Sequence, residues 1–263
     1  CNTGGSFIPN DRAVFFTGSG VNVINSAGGA VFSYLVAMKG GGSIQLNSNL
    51  TINAPNGGNG ITLVSAAGLN LNGNSFILNS SGGSNLQVEN GIVNINGGTG
   101  SRVVVNGGTN GTKTVTSVND GSIVFGSNVV VELNGGMNFG NSLSTINHQL
   151  QINAGGFATT HGPRYASGSQ LLYRSATTYG RGVEWSATSG AIGTTPGFPH
   201  DVSISNNTLI NYPNTGAGAF STGLLVNGNL TVDAGSALYM DFGGSGNKSG
   251  SLTVNGNVTI NGM

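Results

Sequence analysis

Along most of the chain, apolar and polar residues alternate in short runs, and each run stops at Asn-Gly, Ala-Gly or a pair of glycines. Near the end, Val226-Asn227-Gly228-Asn229-Leu230-Thr231-Val232 recurs 28 residues later as Val254-Asn255-Gly256-Asn257-Val258-Thr259-Ile260. Looser copies stand at Ser48–Ala54, Leu69–Gly73 and Ile92–Gly97. Alternation with a period of two places one set of side chains on one face of a strand. Asn and Gly tolerate the left-handed turn that ends it. Each such strand is too short to bury its apolar face alone, so many in series must stack on one another. The pattern predicts an all-β protein, a right-handed parallel β-helix (β-solenoid), with a stacked β-sandwich as the alternative.

The same reading marks individual strands. Arg12–Phe16, Val21–Ile24, Val31–Val36 and Ser43–Leu46 are extended segments broken by Gly18-Ser19-Gly20 and Gly40-Gly41-Gly42. Val103–Val105, Val115, Ile123–Phe125 and Val129–Val131 fit buried or half-buried strands. No window shows a period near 3.6, which predicts essentially no long helix. Coils of ~20–28 residues give roughly 9–13 coils and a rod on the order of 45–60 Å. Asn at the turns is expected to hydrogen-bond its copies in neighbouring coils as a ladder.

Regular phrasing covers residues 1–160 and resumes over 223–263. Between them, 161–222 reads as an irregular, loop-rich insertion. It holds Pro163, Pro196, Pro199 and Pro213, the single Trp185, and three of the five arginines. Functional residues concentrate in such segments on rigid scaffolds.

Composition sharpens this picture. There are 48 Gly and 36 Asn, but charged residues make up only 6% of the chain and the net charge is zero. With 37% hydrophobic residues, the chain has the apolar content that a disordered segment lacks. Nucleic-acid binding needs a basic stripe, and none is present, so no nucleic-acid partner is expected. No apolar run reaches the ~18 residues of a membrane helix, so no membrane span is expected. Cys1 is the only cysteine. It reads either as the lipidated N-terminus of a processed lipoprotein or as the arbitrary start of a fragment. The end at Met263, in mid-phrase, points to a piece of a longer chain.

Candidate chemistry is sparse. The acids Asp11, Glu89, Asp120, Glu132, Glu184, Asp201, Asp233 and Asp241 are scattered along the chain. Asp233 and Asp241 are the nearest pair that adjacent strands would bring together. His148, His161 and His200 lie far apart and form no metal-ligand pair. The glycine runs lack the Asp of calcium-binding repeats and the Lys-Ser/Thr ending of a phosphate loop. No cofactor, metal or catalytic residue is assigned, and no enzyme is expected. A β-helix polysaccharide-degrading enzyme is the weakest alternative, since it needs paired carboxylates in a groove. One cluster stands out, Tyr179-Gly180-Arg181-Gly182-Val183-Glu184-Trp185, with Tyr165 and Tyr173 upstream. Exposed, Tyr165, Tyr173, Tyr179, Arg181, Glu184 and Trp185 would make a glycan-binding surface. Buried, they would anchor the irregular segment.

Asn10-Asp11-Arg12-Ala13-Val14-Phe15-Phe16-Thr17-Gly18-Ser19-Gly20, Tyr179–Ala187 and Asn206–Asn214, with the Gly-Asn-Leu-Thr-Val phrases, resemble recurring segments of very large surface proteins of Bacteroidota exported by the type IX secretion system. The resemblance covers most of the chain. It implies a secreted or cell-surface bacterial protein with β-helical repeats, structural or adhesive in role, as an adhesin or gliding protein is. It implies as partners the secretion machinery acting on the full-length protein, surface glycans, or further copies meeting end to end. It carries over no catalytic residue.

Overall fold

The computed structural model describes residues 7–55, 58–64, 67–79, 84–107, 111–211, 223–240 and 251–261. Cys1, Asp241, Tyr212–Asn214 and Met263, all singled out above, lie outside the described residues. The chain forms a parallel β-helix. Each coil contributes a strand to one sheet, turns, contributes to a second, turns again and contributes to a third. Sheets I and II each hold seven strands, while sheet III holds ten and runs the length of the stack. A three-stranded and a two-stranded sheet take the places of sheets I and II in the last coils. At about 4.8 Å per coil, ten strands span on the order of 43 Å.

The inward positions explain the stacking. In sheet III, Leu50, Phe76, Val103, Val131, Leu150 and Leu171 follow one another in parallel register and are all buried. A second row runs through Ile52, Leu78, Val105, Leu133, Ile152 and Tyr173. Each fully buried aliphatic side chain contributes about 1.5–3 kcal/mol relative to exposure. No single coil can capture this, because the surface that buries each row is the coil above and below. The two copies of the C-terminal phrase lie directly on one another, Leu230 against Val258 and Val226 against Val254.

Coil length varies along the stack. Val131 pairs with Leu150, 19 residues on, whereas Leu171 pairs with Val202, 31 residues on. The run Val31–Val36, expected as one strand, is divided at Ser33 into Ala30–Phe32 of sheet III and Tyr34–Lys39 of sheet I. Phe32 and Leu35 both point inward, which an uninterrupted period-two strand cannot arrange. The buried Ser33 is the corner.

Turn asparagines form the expected ladder. The side-chain amide of Asn79 donates to Asn53 (3.2 Å), Asn106 to Asn79 (3.1 Å), Asn134 to Asn106 (3.1 Å) and Asn153 to Asn134 (2.8 Å). Five consecutive coils are thereby joined at the turn that leaves sheet III. At another corner, Asn119 donates to Asn90 at 3.1 Å, both in the left-handed conformation (φ 49° and 56°).

The expected insertion at 161–222 is much narrower than its composition suggests. Arg164–Tyr165, Gln170–Arg174, Thr178–Gly180, Asp201–Ile204 and Leu209–Asn211 are ordinary strands of the stack. Among the described residues of this segment, the departure is confined to the stretch between Gly180 and Asp201, where a single 3-10 turn, Val183–Trp185, and an irregular run stand in for one strand of sheet II.

Candidate functional site

The six residues marked in the sequence are brought together inside the widest coil. Tyr165 follows Ile146 in the inward row of sheet II, and Tyr173 follows Ile152 in that of sheet III. At these two places aromatic rings replace aliphatic ones because the coil encloses a larger cross-section. Val183–Trp185 fills the rest of the space. Trp185 and Glu184 are both 0% exposed.

The polar atoms of this plug are paired with few exceptions. The Tyr173 hydroxyl donates to Glu184 Oε1 at 3.0 Å, and the Gly182 N–H donates to the same oxygen at 2.7 Å. The Tyr165 hydroxyl donates to the Glu184 carbonyl at 3.0 Å. Arg181 Nη1 donates to the Trp185 carbonyl at 2.9 Å, and Trp185 Nε1 reaches up one coil to the Leu225 carbonyl at 2.9 Å. The Tyr179 ring lies 5.4 Å from that of Tyr173. Glu184 Oε2 has no hydrogen-bond partner among the described residues.

Burial pushes the Glu184 carboxyl up from its ordinary value. Hydrogen bonds from main-chain N–H groups and the Tyr173 hydroxyl, and the charge of Arg181, oppose this without cancelling it. The hydroxyls of Tyr165, Tyr173 and Tyr179 are raised as well, first by burial and then by the Glu184 charge. The charge of Arg181 thus favours the ionised Glu184, while its guanidinium donates to the carbonyl that ends the 3-10 turn.

An irregular run completes the wall. Gly193 and Gly197 donate to the Tyr165 and Pro163 carbonyls below, both at 2.8 Å, while Leu225 and Asn227 donate to the Ala187 and Pro199 carbonyls from above. The run thus splices two coils where sheet II is broken. Gly162 and Gly197 were not singled out by sequence reasoning, yet both are essential to this close approach. A methyl group on Gly162 would stand 2.1 Å from the Val183 carbonyl oxygen, and one on Gly197, at φ 68°, would stand 2.3 Å from Ser186 Oγ. The only sequence signal for either was glycine beside proline.

The glycan surface expected of Tyr165, Tyr173, Tyr179, Arg181, Glu184 and Trp185 is not what this geometry provides. Stacking on a sugar needs an open ring face, and Tyr165, Tyr173 and Trp185 have none. Glu184 lies in the interior, where no substrate reaches it. Elsewhere, His200 Nδ1 lies 3.3 Å from Asp201, and His161 Nδ1 lies 3.3 Å from Asn138. Among the described residues, no three His, Cys, Asp or Glu side chains are grouped to hold a metal ion. No helix of the described residues is long and apolar enough to cross a membrane. Comparison of the chain with protein-family profiles, with curated proteins and with solved structures gave no match.

Proposed function

We propose that this chain is a structural and adhesive repeat module of a secreted or cell-surface bacterial protein, a stiff solenoid that holds position rather than an enzyme. The observation that carries the reading is the asparagine ladder from Asn53 to Asn153. Polar side chains that an enzyme would aim at a substrate are aimed here at the next coil. Glu184, a carboxyl whose pKa burial raises, joins the interior plug in the same way. Location at the bacterial surface is supported by the resemblance of the repeated phrases.

Adhesion is tested with beads coated with the folded chain and held under flow over polysaccharide films and over bacterial cells. Retention above that of beads coated with heat-unfolded chain is the expected result. Equal retention of both, or release of reducing sugar from the films, would overturn the reading.

A further inference from the structure

At the turn leaving sheet III the asparagine ladder stops after Asn153, and the next two coils place Arg174 and Ser205 at its position. The turn position held by Asn in five successive coils is Arg174 in the next, in register with Asn153. A ladder bond resumes two coils later, where Asn261 donates to Asp233 at 3.1 Å. Arg174 is exposed, and among the described residues no hydrogen bond or ion pair engages its guanidinium. Replacing a ladder amide by an exposed cation sacrifices a coil-to-coil bond and gains nothing for the stack.

Arg174 stands at a shallow, open depression of the surface, lined also by Arg102, Glu132, Gln151, Asn153 and Asn206. The floor is open because Ala154 and Ala176 follow the turn. The groove is held rigidly. Arg102 Nη1 donates to Glu132 Oε2 at 2.5 Å, Asn153 donates to Glu132 Oε1 at 2.9 Å, and Gln151 donates to Asn153 at 2.9 Å. Arg102 and Glu132 neutralise each other, so the groove carries one net positive charge, on Arg174. Arg102 keeps further N–H donors, and the Asn206 amide offers both a donor and an acceptor.

We propose that this groove binds an acidic saccharide through one uronate ring seated at Arg174. Arg174 takes a carboxylate in the two-point geometry its planar fork favours. Arg102 and Asn206 pair with ring hydroxyls. The proposal rests on the adhesive reading for its biological sense, and it places the ligand at the turn leaving sheet III rather than at the buried aromatic cluster.

Titration calorimetry with oligogalacturonate and with neutral malto-oligosaccharide tests it, using the whole chain, Arg174→Gln, and Arg12→Gln as a control at an exposed turn far along the stack. Oligogalacturonate should bind and the neutral sugar should not. Arg174→Gln should weaken binding about tenfold or more, the loss of one charge-assisted contact, while Arg12→Gln binds as the parent does. Absence of oligogalacturonate binding, equal binding of the neutral sugar, or an Arg174→Gln affinity within about twofold of the parent would overturn the proposal. If coated beads adhere but uronate does not bind, this groove is refuted and the adhesive reading stands. If uronate binds through Arg174 but beads do not adhere, the reverse holds.

Discussion

At the scale of single residues, the chain uses two polar devices, one at the surface and one inside. Asn106 both donates to Asn79 and accepts from Asn134. Asn106→Ala should therefore cost about 1 kcal/mol in denaturant unfolding, since each bond contributes only ~0.5–1.5 kcal/mol net and the site is partly wet. A loss indistinguishable from zero would mean that the ladder is incidental. Glu184 works through burial. Its carboxyl is raised above the ordinary 4.5, so the folded chain keeps a proton that the unfolded chain releases. The stability linked to this proton is fully present below about pH 4.5 and falls as pH climbs through the raised folded value. Glu184→Gln keeps the acceptor for Tyr173 and Gly182 and removes the titration. Its melting temperature should therefore change less than that of the parent as pH rises above about 4.5. Parallel curves for the two proteins would refute the assignment. A further loss is expected above pH 10, where unfolded tyrosines ionise and the buried Tyr165 and Tyr173 resist doing so.

At the scale of strands and coils, stability belongs to neighbours. Leu150 is buried between Val131 below and Leu171 above, whereas Val258 lies on the outermost described strand. Leu150→Ala should cost about 2–5 kcal/mol, and Val258→Ala under about 0.5 kcal/mol. Similar costs would contradict the inward rows. The strands themselves were legible in the sequence because alternation and Asn-Gly punctuation are local signals, and the C-terminal phrases landed in register. Corners were less legible. Ser33 divides an apolar run that looks continuous, since both faces of a turn toward the core can be apolar. The irregular segment misled for a different reason. Prolines and aromatics suggested a broad insertion, but strands such as Gln170–Arg174 are fixed by the sheet beneath them, whatever their own composition. The aromatic cluster was correctly grouped by proximity. Its exposure was not legible, because a 3-10 turn carries no periodicity that tells inside from outside. The groove at Arg174 was invisible, since Arg102, Glu132 and Arg174 meet only once coils of different length are stacked.

At the scale of the whole molecule, one sheet of ten strands ties the coils together while the other two faces are broken and resumed around the Glu184–Trp185 plug. The Trp185 indole crosses that break to the Leu225 carbonyl, so the stack on either side remains a single body. A rod that holds position, the role proposed above, requires this continuity. Amide hydrogen exchange, followed peptide by peptide, tests it most directly. Slow exchange is expected in every strand of sheet III from Leu50–Ile52 to Leu230–Val232, including Gln170–Arg174 and Asp201–Ile204 on either side of the plug, with protection declining only toward the outermost coils. Fast exchange at those two strands, while the flanking coils stay protected, would contradict it.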